Sequence, residues 1–127
     1  MADWVLDSSA VLAVLLNERG GEIPEAAFPA ALISTVNLAE VATRLIDLGH
    51  SPAEADQLAA RGGYRIVAFD APAATAVAKL RSATRHLGLS LGDRACLALA
   101  EREGLPVLTA DRAWASLDIG VQIRLIR

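Results

Sequence analysis

The sequence predicts a single α/β domain over residues 1–127, an α/β/α sandwich around a mainly parallel five-stranded sheet. Three observations carry that expectation. Short apolar segments alternate with helical patterns along the whole 127-residue chain. Several of those segments have too few polar positions for a sheet open to water on one face. No repeat, low-complexity tract or linker interrupts the alternation. With 54% apolar residues, a chain of this length buries roughly two thirds of its unfolded surface in one core.

Taken in order, "DWVL" (3–6) reads as the first strand, followed by a helix containing "AVLAVLL" (10–16). "ALIS" (31–34) is the second strand. Leu38, Val41, Ala42, Leu45 and Leu48 then recur at helical spacing, and Gly49 is placed to stop that helix. "SPAE" (51–54) supplies a Ser cap, Pro at the first helical position and Glu at the third. "RIVAF" (65–69) is the third strand, and Asp70 caps the helix that begins "APAA". Val77, Leu80, Thr84 and Leu87 trace its apolar stripe up to Gly88. "LSLGDRACLALAE" (89–101) opens a further helix, "PVLT" (106–109) is the fourth strand, Asp111 precedes "RAWASL", and "VQIRLI" (121–126) closes the sheet.

Composition narrows the function classes. The longest apolar run has seven residues, far below the roughly 18 of a membrane span, so a soluble protein with no membrane partner is expected. "MADWVLD" lacks a basic region and argues against a signal peptide. Cys96 is the only cysteine, which excludes an intrachain disulfide and fits a reducing cytoplasm. A net charge of −3 argues against a broad basic surface for nucleic acid, though not against a local site. Eleven of the twelve basic residues are Arg, a side chain suited to bidentate phosphate contacts.

Ligands of such sheets bind beyond the carboxyl ends of the strands. Asp7 ends the first strand and Asp111 follows the fourth; Glu40 lies one turn into the helix after the second, and Asp93 opens the helix leading to the fourth. Each acid alone has a plain structural role: Asp7 and Asp111 as caps, Asp93 in a capping box begun by Ser90, Glu40 paired with Arg44. Together they pose a problem of charge. Four carboxylates within about 5 Å repel by roughly 3 kcal/mol per pair at an effective dielectric of 20. Either some protonate, or divalent cations sit among them. Oxygen ligands without His or Cys favour Mg²⁺ or Mn²⁺, and the chemistry such ions serve is phosphodiester hydrolysis, with an activated water and a stabilised leaving 3′-oxygen. Two ions bring the formal −3 to about +1, which suits a polyanionic substrate.

In this order and context the four acids resemble the PIN-domain family, specifically the VapC-like ribonuclease toxins of toxin–antitoxin pairs. The matching stretches are "LDSSA" with Asp7, "STVNLAEV" with Glu40, "LSLGDRACLALA" with Asp93 and "VLTADRAW" with Asp111. The resemblance covers nearly the whole chain. It implies a five-stranded parallel sheet, Mg²⁺- or Mn²⁺-dependent endoribonuclease activity with these four acids as catalytic and metal-binding residues, and a homodimer. It also implies inhibition by a small cognate antitoxin, often one that inserts a basic side chain among the acids. Thr109 matches the polar residue two before the family's fourth acid, suited to orienting a water. Asp118 is read as a turn residue.

His50 and His86 sit near helix ends and read as structural. Cys96 is read as a buried small hydrophobe, and Trp114 as a packing anchor with base stacking as its alternative. Arg94 and Arg112 adjoin two of the acids and suit either phosphate or a salt bridge. A haloacid-dehalogenase-like phosphatase requires a second Asp where this chain has Ser9, and a receiver domain requires adjacent acids and a distal Lys that Lys79 does not supply. The rival from another class is a non-catalytic protein-binding module in which the acids are helix caps.

Overall fold

A computed structural model describes residues 1–127. Five strands, β1 (Trp4–Leu6), β2 (Ala31–Ser34), β3 (Arg65–Val67), β4 (Val107–Thr109) and β5 (Ile123–Leu125), form one sheet in the order β3-β2-β1-β4-β5. Every pairing is parallel. The helices are α1 (Ser8–Leu15), α2 (Glu22–Ala27), α3 (Thr35–Asp47), α4 (Pro52–Ala60), α5 (Ala71–Thr84) and α6 (Leu91–Glu103). The α/β sandwich expected from the alternation is therefore present, and the sheet is wholly rather than mainly parallel.

Strand pleating divides the interior in two. Leu6, Ile33 and Leu108 face a core with α1, α3 and α4, while Val5, Leu32 and Val107 face a second core with α5 and α6. Alternate side chains of each strand point to opposite faces, so central strands covered on both sides must be apolar throughout. At about 1.5–3 kcal/mol for each fully buried large aliphatic side chain, the two cores supply the main driving force for the fold.

Caps fix the helix starts. Ser51 and Glu54 form the expected capping box, and Asp70 accepts the Ala73 amide at 3.0 Å. Gly49 and Gly88 leave their helices with φ of 106° and 60°, a region open to glycine. Three expectations need adjustment. The buried stripe of α3 keeps Val41 and Leu45 of the apolar pattern and adds Asn37, while Leu38 and Ala42 are half-buried beside it and Leu48 is 48% exposed at the helix end. "RAWASL" forms a 3₁₀ turn over Arg112–Ser116 rather than an α-helix. The helix α2 had no counterpart in the sequence reading; Pro24 within it and Pro29 just after it mask its pattern.

The chain winds outward from β1 through β2 to β3, then crosses to the other side of β1 to add β4 and β5. The order reverses between β1 and β4. That reversal opens a crevice at the strands' carboxyl ends, and it is there that Asp7 and Thr109 lie.

Candidate active site

Asp7 directly follows β1 and is 3% exposed. It occupies the N-cap position of α1, yet its side chain makes no capping hydrogen bond. Instead Oδ2 accepts the Ser9 hydroxyl at 2.6 Å and the Thr109 hydroxyl at 2.8 Å. Oδ1 is buried without a partner. Burial pushes the Asp7 carboxyl up to about 6; the Ser9 and Thr109 hydroxyls oppose the rise, and the charges of Asp93 and Glu40 add to it. The same hydroxyls hold the segment just after β4: Ser9 Oγ accepts the Ala110 amide at 2.9 Å, and Thr109 Oγ1 accepts the Asp111 amide at 3.0 Å.

Glu40 and Asp93 arrive from α3 and α6. Ser34 caps α3 by accepting the Val36 amide, and Glu40 follows one turn into the helix. Its Oε1 accepts from Asn37 Nδ2 at 3.0 Å, and the same nitrogen donates to the Gly92 carbonyl at 2.9 Å. Gly92 lies in the first turn of α6, where a Cβ would overlap the Glu40 carboxylate. Asp93 is half-buried and closes a reciprocal capping box: its amide donates to Ser90 Oγ at 3.1 Å while its Oδ2 accepts the Ser90 amide at 3.0 Å. Both residues of that box therefore cap α6, and Asp93 Oδ1 carries no hydrogen bond.

Asp111 is exposed, and its Oδ1 accepts the Ala113 amide at 3.0 Å, the capping role considered for it. The structure brings Asp7, Glu40 and Asp93 within electrostatic reach of one another and joins Asp111 to Asp7 only through Thr109. Glu40 and Arg44 form no ion pair, the four ion pairs lying elsewhere.

Residues 4–120 match the family model described as PIN domain. The chain belongs to the PIN-domain family. Its fold is shared with a chain of the DNA-bound VapBC structure from Salmonella typhimurium, at a TM-score of 0.75 with 17% identity over 100% of both chains. A toxin–antitoxin complex from Klebsiella pneumoniae matches at 0.71 with 21% identity, covering 100% of this chain and 98% of the other. VapBC-5 from Mycobacterium tuberculosis matches at 0.61 with 25% identity over 100% of this chain and 99% of that one. No curated protein matches the sequence.

The other side chains singled out in this PIN domain form no hydrogen bond or ion pair with the four acids. Arg94 pairs with no carboxylate: half-buried, it donates from Nη1 to the Val77 carbonyl at 3.1 Å, tying α6 to α5. Arg112 is exposed and unpaired. Asp118 is exposed on the segment before β5. His86 is exposed, and His50 lies 3.8 Å from Glu54. Trp114 is fully buried in the α5–α6 core, which makes it a packing anchor and excludes base stacking. Cys96, one turn after Asp93, is fully buried, and burial pushes its thiol well above the usual range.

The family's association with divalent ions is tested by the donor set. No three His, Cys, Asp or Glu side chains are arranged so as to hold a metal ion by themselves, so the acids do not form a closed cage. Asp7 nevertheless fits a hard cation: a desolvated carboxylate oxygen without a partner, with two further carboxylates acting on it, lacks a compensating positive charge. Mg²⁺ in particular is bound through one or two carboxylates and keeps several waters. Beside the acids runs an open groove lined by Val36, Glu40, Arg44, Ser90, Leu91 and Gly92. The apolar pocket between α5 and α6, lined by Val67, Phe69, Pro72 and Leu99, contains none of the four acids.

Proposed function

We propose that this PIN-domain protein is a metal-dependent endoribonuclease of the VapC type, a toxin held inactive by a cognate antitoxin. The observation that carries the reading is the unpartnered Oδ1 of buried Asp7 at the sheet's reversal point, with Glu40 and Asp93 acting on it. Asp7, Glu40, Asp93 and Asp111 are the site residues. Asp7, with Glu40 and Asp93, would hold a hard divalent cation, Mg²⁺ or Mn²⁺, which when bound would supply an activated water and charge for the leaving 3′-oxygen.

The protein's own groups set the geometry. Ser9 and Thr109 occupy Asp7 Oδ2 and orient Oδ1 away from both hydroxyls. The capping box holds Asp93 at the first turn of α6. Thr109 anchors the backbone of Asp111. Arg44, exposed in the groove beside Glu40 and free of any ion pair, receives a phosphate of the RNA. The solved toxin–antitoxin complexes of the same fold support an antitoxin as partner, and a homodimer in the cytoplasm is the assembly that goes with this reading.

A non-catalytic binding module is favoured by one set of observations, the cap hydrogen bonds accepted by Asp93 and Asp111. Asp7 argues against it, because its side chain caps nothing. Incubating the purified protein with total RNA and Mg²⁺, with EDTA and Asp7→Asn as controls, separates the two. New RNA ends that require both the ion and Asp7 support the nuclease. Intact RNA, together with an Mn²⁺-induced rise in melting temperature that is the same in wild type and Asp7→Asn, favours the binding module.

A further inference from the structure

We propose that Asn37 is a positioning residue that fixes the Glu40 carboxylate against the start of α6, setting its distance from Asp93. The inference rests on the metal-dependent reading above and adds a residue to it. Asn37 is 0% exposed and shares the buried stripe of α3 with Val41 and Leu45. An aliphatic side chain there would pack without polar cost. The amide instead points its nitrogen at two acceptors on different elements, Glu40 Oε1 at 3.0 Å and the Gly92 carbonyl at 2.9 Å. Its two protons are thereby assigned, one within α3 and one to a residue 55 positions away. Its Oδ1 remains buried without a partner, a desolvation cost that core packing alone does not explain.

Gly92 completes the device from the other side. The Glu40 carboxylate fills the space a Cβ would take, so the acid sits directly on the backbone of α6, one residue before Asp93. A neutral donor suits this task. Lys or Arg at position 37 would hold Glu40 equally well but would cancel the charge that the cation needs, whereas an amide orients the carboxylate and leaves it anionic. Glu40 Oε2 lies closest to where a Cβ on Gly92 would stand and carries no protein hydrogen bond.

The test is calorimetric titration of Mn²⁺ into the purified full chain, with a thermal melt of each protein. Glu40→Gln establishes whether Glu40 binds the ion. Asn37→Ala is expected to weaken Mn²⁺ binding by about tenfold or more. In Asn37→Ala combined with Glu40→Gln, that further loss is expected to vanish, since Asn37 acts through Glu40. Gly92→Ala pushes the same carboxylate away from the side of α6 with the Asn37 side chain still present; the better helix propensity of Ala offsets part of the displacement, so its melting temperature should stay near wild type while Mn²⁺ binding weakens. Should Asn37→Ala unfold the chain, Asn37→Leu, which fills the buried position and removes the donor, takes its place in the same comparisons. Wild-type affinity in Asn37→Ala and Gly92→Ala, with loss in Glu40→Gln, overturns the positioning role and leaves the metal reading intact. A loss from Asn37→Ala that persists in the Glu40→Gln background marks a structural role and also overturns it. Wild-type affinity in Glu40→Gln removes Glu40 from the metal site and this inference with it.

Discussion

Thr109, at the end of β4, donates its hydroxyl to Asp7 Oδ2 at 2.8 Å across a sequence separation of 102 residues. This bond crosses the point where the strand order reverses, so it binds the two halves of the sheet at the spot where Asp7 would otherwise be most exposed to its own desolvation. Replacing Thr109 by Val keeps the volume and removes the donor. Stability at pH 7 should fall by about 2 kcal/mol, the range for a hydrogen bond to a charged group. Thr109→Ser keeps the donor and should lose only about 0.8 kcal/mol for the missing methyl. Urea denaturation of the three proteins checks the ordering, and equal losses in Val and Ser variants would contradict it.

Asp7 also sets a pH dependence. Its folded carboxyl titrates at about 6 against an ordinary 3.8, so between those values the folded state binds the extra proton. Stability from this group is therefore greatest below pH 4 and is lost as pH rises through 6. The two values imply a penalty of about 3 kcal/mol above that window. In the absence of divalent ions, Asp7→Asn should be more stable than wild type at pH 7, and the difference should shrink toward zero as pH falls to 4. Urea midpoints measured across that range read the effect; a gap that stays constant with pH would contradict it.

Asp93 has two duties that different substitutions separate. Asn retains an oxygen able to accept the Ser90 amide, whereas Ala removes it. Asp93→Ala should lose about 1 kcal/mol through the cap. Asp93→Asn should melt within a degree or two of wild type and yet lose RNA cleavage. Cleavage surviving in Asp93→Asn would confine this residue to capping.

Arg44 offers a prediction about substrate. It is exposed, has no ion-pair partner and lines the groove with Glu40 and Leu91. In an Asp93→Asn background, Arg44→Ala should weaken RNA binding several-fold and lower the slope of log affinity against log salt by about 1. Its stability should change by less than about 0.5 kcal/mol. Fluorescence anisotropy with labelled RNA at several salt concentrations measures both quantities.

Much of this was legible in the sequence because the central strands are buried on both faces. Runs such as "WVL", "ALIS" and "VLT" stand out when no polar alternation dilutes them, and their ends lie within two residues of the strands observed. The caps at Ser51 and Asp70 were readable from local residue order. Long-range pairings were not. That Asp7 would accept the Thr109 hydroxyl instead of capping α1 depends on the β1–β4 adjacency, which no local pattern encodes. The role of Asn37 was hidden for the opposite reason: it sits four residues before Val41 and eight before Leu45, on the face a helical wheel assigns to the core, and an amide there was the available signal. The part played by Gly92 left no trace in the sequence, because a missing side chain carries no sign of what fills its place.

Cys96 gives the molecule a built-in clock. Its sulfur is sealed inside the second core within α6, the helix that carries Asp93, and is the sole thiol in the chain. A water-borne thiol reagent reacts with it only when that helix leaves its seat, so the labelling rate counts openings of the site's own scaffold without any engineered reporter.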